Sequence, residues 1–582
     1  MTYRTYGWIQ NPSSFKTLKK VVQIFDPNSS HYQDLTNRLI HTIYFEDIRN
    51  SLRSKLNYGV KEFTYQELVG TSKDKYKKPA KSRSEAVADA LIQITISPQQ
   101  SATTGKTWTD NWTSDGFLRW AVTLNFVSAD RETDIFKITY LGSEFSRSED
   151  DSVEEERILT DAILSYPPAT HILTMLNEAK DYCSKFYLGS RLGFISEGGF
   201  TSYSETSMYE MLEAASKSER NRIKSNIEGT SDKYARMICK WLMKLGLVDQ
   251  IKGMRTLNDG TIDGFPEYKI TASGQNALTR INGGSKHQKI TKFIMWEFLA
   301  TKGNNRNYVR TRRAYIIKFL QETESLERLF SKLNNKGFKE SPEIFLNDIE
   351  GLKNIGLRIE IADNKIILRD NICDFSIPDI QVTAEIIDEQ LEKKKLYFLK
   401  HTQINRKYLV LLEYAYSKEH SRDFEIYTME LFREVYGIGS KILSGPKKPD
   451  GILYTTDFGV IVDTKAYSEG YGKSASQKRQ MIDYIMDAEE KDSKRNSSEW
   501  WRFFPEQIRD IFFLWVSGKF VKNFKEQLEE THYVTKVNGG ALNVYQLLLG
   551  AHCVLIGKLE PSDLPKYFNN DEIIFFDSDE LH

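Results

Sequence analysis

The chain has 582 residues, 40% hydrophobic and 27% charged, which is enough for several soluble globular domains. Its 80 basic and 80 acidic residues cancel, so a bulk positive charge is excluded as an argument for nucleic-acid binding, while local basic patches stay open. No apolar stretch of about 18 residues occurs, so no membrane span is expected. The four cysteines lack disulfide or zinc spacing, and the N-terminus lacks a signal peptide's apolar core, so we expect a cytoplasmic protein.

Two similar segments occupy the first half of the chain. "TSDGFLRWAVTLNFV" starts at Thr113 and "TSDKYARMICKWLMKLGLV" at Thr230. Each opens with a plausible helix N-cap, and each is followed by a short strand pattern, "FKITYLG" from Phe136 and "YKITASG" from Tyr268. A helix followed by a short strand that ends at a glycine turn is typical of a winged helix-turn-helix, a motif that reads DNA in the major groove.

A fainter third copy covers "NDIEGLKNIGLRIEIADNKIIL", from Asn347 to Leu368, in which Ala362 to Asn364 predicts a hairpin turn. An acidic run from Ser148 to Glu156 and a proline-containing segment from Asp374 to Glu385 mark two boundaries. The predicted domains are three winged helices at residues 1–150, 151–285 and 286–375, a linker at 376–385, and a strand–helix domain at 386–582. The predicted fold class is therefore multidomain α+β and α/β.

Three basic clusters accompany these segments, at Lys73 to Arg83, Lys217 to Lys240 and Arg306 to Arg313. Each alone is more often a solvated face than a DNA surface. Within the second cluster, Lys233 and Arg236 are three residues apart on one helix face, from which they could reach phosphates or the O6 and N7 atoms of guanine.

The segment "KKPDGILYTTDFGVIVDTKAYSEGYG" predicts a catalytic hairpin. Pro449-Asp450 is followed, after twelve residues, by Asp463-Thr464-Lys465. A hairpin would bring Asp450 near Asp463, and strand alternation puts Asp463 and Lys465 on the side of Ile461. Two carboxylates with the Thr464 carbonyl suit Mg²⁺. The lysine could orient or deprotonate a water and stabilise the developing phosphorane charge. The alternative is a pair of surface acids at strand ends.

The chain resembles the FokI-like type IIS restriction endonucleases nearly from end to end. The stretches that carry the resemblance include "YGWIQNPSSFKTLKKVVQIFD", "DNWTSDGFLRWA", "EGTSDKYARMI", "YVRTRRA", "KPDG", "GVIVDTKAYS" and "EWW". The resemblance implies three winged-helix recognition subdomains, the third mainly a bridge, and a PD-(D/E)XK cleavage domain with Asp450, Asp463 and Lys465 at its catalytic positions. It implies binding to an asymmetric, GGATG-like duplex site and Mg²⁺-dependent cutting of both strands at a fixed distance. Products with 5′-phosphates and a cognate DNA methyltransferase are also implied.

Carried over residue by residue, the resemblance names base-reading candidates in two subdomains. They are Gln10, Asn11, Arg83, Gln99 and Trp112 in the first, and Ser225, Asn226, Glu228, Lys233 and Arg236 in the second. Arg and Lys suit guanine, Asn and Gln suit adenine, and Glu can accept from cytosine N4. The alternatives are a turn before Pro12 for Gln10 and Asn11, packing for Trp112, and a helix-start charge for Glu228.

The resemblance also implies pairing of two cleavage domains through an acid and an arginine four residues apart on one helix. In "SQKRQMIDYIMDAEE" the order is exchanged, with Arg479 before Asp483. A two-fold interface is self-complementary, so Arg479 could still meet Asp483 of a second copy. The alternative is a surface pair within one helix, which contributes little.

Three other functions are alternatives, and each has a feature that distinguishes it. A non-catalytic winged-helix regulator would not need the Asp450, Asp463 and Lys465 set. A structure-specific repair nuclease would cut without sequence preference. A metal-stabilised structural domain would unfold when Mg²⁺ is removed.

Overall fold

A computed structural model of the protein describes residues 3–96, 111–283, 289–303, 305–380, 389–443 and 445–575. Among these residues, no helix combines the length and the apolar character needed to cross a membrane.

The first subdomain is a winged helix, in which helices precede a three-stranded antiparallel sheet. Its elements are α1 (Phe15–Gln23), α2 (Ser30–Asn37), α3 (Glu46–Asn57), β1 (Glu62–Thr64), α4 (Tyr65–Val69), α5 (Leu91–Thr95), α6 (Asn111–Thr123), β2 (Val127–Ala129), β3 (Ile135–Ile138) and α7 (Tyr140–Arg147). The strand order is β1-β3-β2.

The second subdomain repeats this plan and adds a second, two-stranded sheet. Its elements are α8 (Val153–Ser165), α9 (Pro167–Ala179), β4 (Cys183–Ser184), α10 (Lys185–Gly189), α11 (Glu205–Glu213), α12 (Lys217–Asn226), α13 (Thr230–Lys244), β5 (Val248–Lys252), β6 (Arg255–Thr256), β7 (Ile262–Asp263), β8 (Pro266–Ile270) and α14 (Ala272–Asn282). The strands form a β4-β8-β5 sheet and a β6-β7 hairpin.

The two repeats share the same capping hydrogen bond, but Gly142 and Gly274 lie in helices and do not form the glycine turns that the sequence predicted. The hydroxyls of Thr139 and Thr271 cap α7 and α14 by accepting the amide N–H groups of Gly142 and Gly274 at 2.9 and 3.0 Å. A Cβ on either glycine would lie 2.0 to 2.2 Å from a backbone carbonyl of the preceding loop. Glycine is therefore required because each capped helix starts against the backbone.

The Thr-Ser-Asp triplets also lie differently from the N-caps that the sequence predicted. Thr113 is inside α6, and Thr230 is the first residue of α13, whose N-cap is Gly229. The third residue of α13, Asp232, accepts the amide N–H of Gly229 at 2.9 Å, so the aspartate and not the threonine completes this helix start.

The third subdomain comprises β9 (Thr291–Lys292), α15 (Arg306–Leu320), α16 (Leu326–Lys336), α17 (Pro342–Asn354), β10 (Ile359–Ala362), β11 (Lys365–Leu368) and β12 (Asn371–Ile372). The predicted hairpin is confirmed, because Ala362 pairs with Lys365 across a turn in which Asp363 has a φ of +53°. One apolar core runs from Tyr6 to Phe375 through all three subdomains. In it the two repeat tryptophans, Trp120 and Trp241, stack with centroids 4.9 Å apart.

The third basic cluster is not a DNA surface. Arg310, Arg312 and Arg313 on α15 are 0%, 8% and 1% exposed. Asp348 on α17 accepts from Arg312 at 2.6 Å and from Arg313 at 2.8 Å, and Glu197 of the second subdomain also binds Arg313. These guanidiniums are therefore used inside the protein, and Arg313 joins the second subdomain to the third.

The C-terminal domain is an α/β sandwich with α18 (Glu389–His401), α19 (Leu411–Tyr414), α20 (Ser421–Glu434), β13 (Gly439–Ile442), β14 (Gly451–Tyr454), β15 (Phe458–Lys465), β16 (Tyr471–Gly472), α21 (Ala475–Glu490), β17 (Asp510–Ser517), β18 (Phe520–Val521), α22 (Phe524–Thr535), β19 (Gly539–Asn543), α23 (Val544–Leu555) and β20 (Asp571–Glu572). Its main sheet has the order β13-β14-β15-β17-β19-β20, antiparallel from β13 to β15 and parallel beyond.

Helices cover both faces of this sheet, as the alternation along β15 predicts. Val460 and Val462 pack in the core that contains α20 and α23, and Ile461 packs in the core that contains α21 and α22. The predicted opposition of Ile461 to its two valine neighbours is confirmed. The catalytic motif thus lies at the carboxyl end of a central strand.

Candidate active site and DNA-reading residues

The predicted catalytic hairpin is present. The register of β14 and β15 pairs Gly451 with Val462, so Asp450 lies beside the end of β15. Oδ2 of Asp450 accepts hydrogen bonds from the backbone N–H of Thr464 at 2.7 Å and from its hydroxyl at 2.9 Å. The fold thus fixes the position of one carboxylate against the strand that carries the other.

Asp463 is buried, with only 3% of its surface exposed. One carboxylate oxygen accepts from Nζ of Lys465, but Oδ2 has no hydrogen-bond partner among the residues that the structure describes. Burial, together with the nearby charge of Asp450, raises the pKa of Asp463 well above its usual range. A buried polar atom without a partner is costly, and a bound cation would both satisfy it and offset the repulsion between the carboxylates.

Lys465 completes the predicted set. Its Nζ donates to Asp463 and to the carbonyl oxygen of Thr464, the latter at 3.2 Å, and lies 5.3 Å from the ring centroid of Trp515. Burial acts to lower the pKa of Lys465, but the carboxylates of Asp463 and Asp450 prevail, and the pKa is raised. The ammonium is therefore held in its charged form beside the two acids.

The carboxylate oxygens at this site fit a magnesium ion that is bound by few protein ligands. Mg²⁺ prefers oxygen ligands and keeps several waters, so Asp450 and Asp463 suffice as anchors. Thr464 was also predicted as a ligand through its carbonyl, which here accepts from Lys465. Among the described residues, no group of three or more His, Cys, Asp or Glu side chains has metal-site geometry.

Glu425 is a site residue that sequence analysis missed. It lies on α20, and burial together with the charge of Asp450 raises its pKa to about 7. Arg422 donates to its Oε2 at 2.5 Å. The sequence offers no signal for Glu425, because its approach to Asp450 depends on how α20 packs against the sheet.

The chain segment that leads into Asp450 is docked on the second subdomain. Lys441 forms an ion pair with Glu213 at 2.6 Å, and Lys448 donates to the Ala214 carbonyl at 3.2 Å. On α20, Arg433 binds Glu210 at 2.8 Å. The segment that leads into Asp450, together with α20, therefore contacts α11 and the loop that leads into α12.

Two predicted base readers, Gln10 and Asn11, lie where the N-terminal segment contacts α6 and α13. Gln10 hydrogen-bonds with the Tyr234 side chain of α13. The Asn11 carbonyl oxygen would lie 2.7 Å from a Cβ on Gly116 of α6, and Asn11 itself is exposed. The structure thus places Gln10 and Asn11 next to both repeat helices.

The other predicted readers of the first subdomain are at its surface. Arg83 is exposed, and Trp112 in the first turn of α6 is 56% exposed, so it does not fill a core position. Gln99 lies outside the described residues.

In the second subdomain, Ser225 and Asn226 are exposed at the end of α12. The Ser225 hydroxyl donates to the carbonyl oxygen of Asn221 at 2.8 Å. Lys233 and Arg236 are half-buried on α13.

Glu228 is buried between two basic side chains. It is 9% exposed, and its carboxylate accepts from Lys185 at 2.5 Å and from Arg236 at 2.8 and 3.1 Å. Burial acts to raise its pKa, but these two cations lower it overall. The carboxylate therefore orients Arg236, and its role in reading a base stays a prediction.

The helix predicted to mediate dimerisation, α21, presents both named residues to solvent. Asp483 accepts from Arg495 at 3.2 Å. Arg479 is exposed and forms no ion pair within the described ranges. The intrahelical pair between Arg479 and Asp483, which was the alternative interpretation, is therefore not formed.

Comparison with protein families assigns nearly the whole chain. Models for the FokI recognition domain match residues 4–148 (subdomain 1) and 155–286 (subdomain 2), the FokI D3 domain matches 299–364, and the FokI cleavage domain matches 382–575.

Two curated relatives are similar over nearly their full length. The type II restriction enzyme FokI of Planomicrobium okeanokoites is 41% identical, covering 98% of this chain and 99% of the relative. The type II restriction enzyme StsI of Streptococcus sanguinis is 31% identical, covering 95% and 92%.

Solved structures give the same result. The restriction endonuclease FokI superposes with a TM-score of 0.89 at 39% identity, covering 98% of this chain and 100% of the other. FokI bound to DNA superposes with a TM-score of 0.91 at 40% identity, covering 99% and 100%.

Proposed function

Because the chain belongs to the FokI family of type II restriction enzymes, it is a type IIS restriction endonuclease, and we propose that it binds an asymmetric, GGATG-like duplex site and cuts both strands at a fixed distance downstream. The observation that carries this proposal is the pair of crowded carboxylates with Lys465 at the end of β15, docked against a winged helix.

The site residues divide the chemistry between them. Asp450 and Asp463 would hold a Mg²⁺ ion, and such an ion would supply Lewis-acid polarisation of the scissile phosphate and a more acidic water. Lys465, kept protonated by the two acids, stabilises negative charge that develops on the phosphate, which favours this role over that of a base. Hydrolysis leaves 5′-phosphates.

Reading and cutting occupy different parts of the chain. Residues 1–150 and 151–285 read the site, 286–375 bridge, 376–385 link, and 386–582 cut. We place the enzyme in a bacterial cytoplasm, where it meets incoming DNA and where a cognate methyltransferase protects the host's own sites. A non-catalytic regulator accounts less well for Asp463, a buried carboxylate with an oxygen that has no hydrogen-bond partner among the described residues and that a bound cation would satisfy.

Plasmid cleavage with and without Mg²⁺, combined with thermal melting in both conditions, tests this proposal. We expect linear DNA with Mg²⁺, intact plasmid with EDTA, and a folded protein in both. Unfolding in EDTA would instead indicate a structural metal, and cleavage that persists in EDTA would exclude the proposed site.

We further propose that two cleavage domains pair on DNA through α21, with Arg479 of each copy meeting Asp483 of the other. Arg479→Asp and Asp483→Arg each place like charges opposite one another, so each alone should cleave at least about tenfold more slowly at limiting enzyme concentration. An equal mixture of the two should recover the wild-type rate, because opposite charges then face each other.

The matched control is the double variant R479D/D483R in one chain, which is self-complementary and should cleave as wild type does. Thermal melting of each variant checks the fold, since Asp483 also binds Arg495. If the mixture is no faster than either single variant, the pairing is wrong.

A further inference from the structure

A basic loop in the first subdomain, residues 71–83, has no part in the function described so far. It carries Lys73, Lys75, Lys77, Lys78, Lys81 and Arg83, with Asp74 as its single acid. It follows α4, and all of its basic residues except the half-buried Lys73 are exposed.

The loop is ordered by its own backbone. Lys73 and Pro79 form an isolated antiparallel bridge, and the Asp74 N–H donates to the Lys78 carbonyl at 2.8 Å. The Asp74 carboxylate accepts the backbone N–H groups of Tyr76 and Lys78, both at 2.9 Å. The single acid of the loop therefore binds the loop's own backbone and does not neutralise its lysine side chains.

The positive charge of the loop is largely uncompensated. Within the described residues, Lys73, Lys75, Lys78 and Lys81 have no ion-pair partner, and the pair of Lys77 with Asp47 is 3.2 Å long and largely exposed. In α12, by contrast, two basic side chains are paired: Arg220 binds Asp259 and Lys224 binds Asp263, each at 2.7 Å. In a chain of zero net charge, an ordered loop that carries four lysines without ion-pair partners among the described residues fits a polyanion.

The position of the loop identifies which polyanion it meets. It ends at Arg83, a predicted base reader, so a duplex bound at Arg83 passes within reach of the preceding lysines. Tyr76 is 69% exposed, with Lys75 Nζ 4.9 Å from its ring centroid, which adds a hydroxyl donor to the same surface. Lysine side chains contact phosphates without discriminating bases.

We propose that the basic loop binds the phosphate backbone of duplex DNA beside the base pairs read by the first subdomain. It adds affinity without adding sequence specificity, and it lengthens the footprint on one side of the site. The inference rests on the proposed function, which supplies the duplex.

The salt dependence of DNA binding tests this inference. Each phosphate contact contributes about 0.9 to the slope of log K against log salt concentration, so K75Q/K78Q/K81Q should reduce the slope by about 2 to 3. Affinity for cognate and non-cognate duplexes should fall together, on the order of 10- to 100-fold near 0.1 M salt. Shortening the flanking duplex on one side should weaken the wild type but not the variant.

Two matched variants serve as controls. K336Q/K339Q/K365Q removes three exposed lysines of the third subdomain and should leave the slope unchanged, while K75R/K78R/K81R keeps the charge and should keep the slope. An unchanged slope for K75Q/K78Q/K81Q would overturn the inference, even if plasmid cleavage by the wild type upholds the proposed function. Loss of cognate affinity alone would also overturn it, because that result indicates base reading.

Discussion

The Asp463→Asn variant is expected to lose DNA cleavage by at least about a hundredfold and to keep its DNA affinity. The substitution removes one of two carboxylates that anchor the metal, and the loss of a single group that stabilises transition-state charge commonly costs a hundred- to a thousandfold. DNA affinity should persist because the predicted base readers lie in other subdomains. Single-turnover cleavage and a mobility-shift assay measure the two effects separately.

The same variant should be at least as stable as wild type in EDTA. The pKa of Asp463 is raised in the folded protein, so its charged form destabilises the fold at pH values above the unfolded pKa of about 4. Asparagine mimics the neutral form, and the stability difference should therefore narrow as the pH falls toward 4. Asp457→Asn, at the exposed turn of the same hairpin, is the matched control and should cleave normally.

The Asp348→Ala variant should produce the largest loss of stability. Asp348 is 1% exposed and binds Arg312 and Arg313, which are themselves buried. Breaking a buried ion pair by removing one partner costs about 3 to 5 kcal/mol, because the remaining charge stays buried without compensation. We expect a lower urea midpoint for the recognition region and a lower Tm.

The pH dependence of this effect has a definite sign. Burial acts to raise the pKa of Asp348, but Arg312 and Arg313 lower it overall, so its stabilising contribution is present above the unfolded pKa and is lost as the pH falls below it. The loss of stability of Asp348→Ala relative to wild type should therefore be largest at neutral pH. Asp363→Asn, in the exposed hairpin turn, is the control and should be neutral, since Asn tolerates a positive φ. A loss of less than about 1 kcal/mol at Asp348 would contradict the proposed role of this buried pair.

Local patterns predicted the hairpin that carries Asp450 and Asp463 well, because the geometry involved is local. The twelve residues between Asp450 and Asp463 fit one hairpin, and alternation along β15 assigns each side chain to a face. The repeat was equally readable, because its threonine and glycine serve the same backbone contacts in both copies.

The errors concern side chains whose partners are distant in the sequence. The arginines of α15 carry the composition of a DNA-binding cluster, but Asp348 and Glu197 bind them inside the protein. The ion pairs of Glu228 with Lys185 and Arg236 were likewise not predictable from local spacing, and its role in reading a base stays a prediction. Glu425 was missed for the same reason, since only the packing of α20 brings it toward Asp450. In each case the partners of the side chain are set by tertiary contacts, which cannot be predicted from the local spacing of residues.

Mapping the DNA ends produced by the purified protein with Mg²⁺, beside an Asp450→Ala control, tests the central claim most directly. Run-off sequencing of cut plasmid locates every end relative to the surrounding sequence. We predict ends at one fixed offset on each strand from a GGATG-like site, absent in the control. Ends scattered without a common sequence, or ends that persist in Asp450→Ala, would contradict the claim that the winged helices select the position and the Asp450, Asp463 and Lys465 site makes the cut.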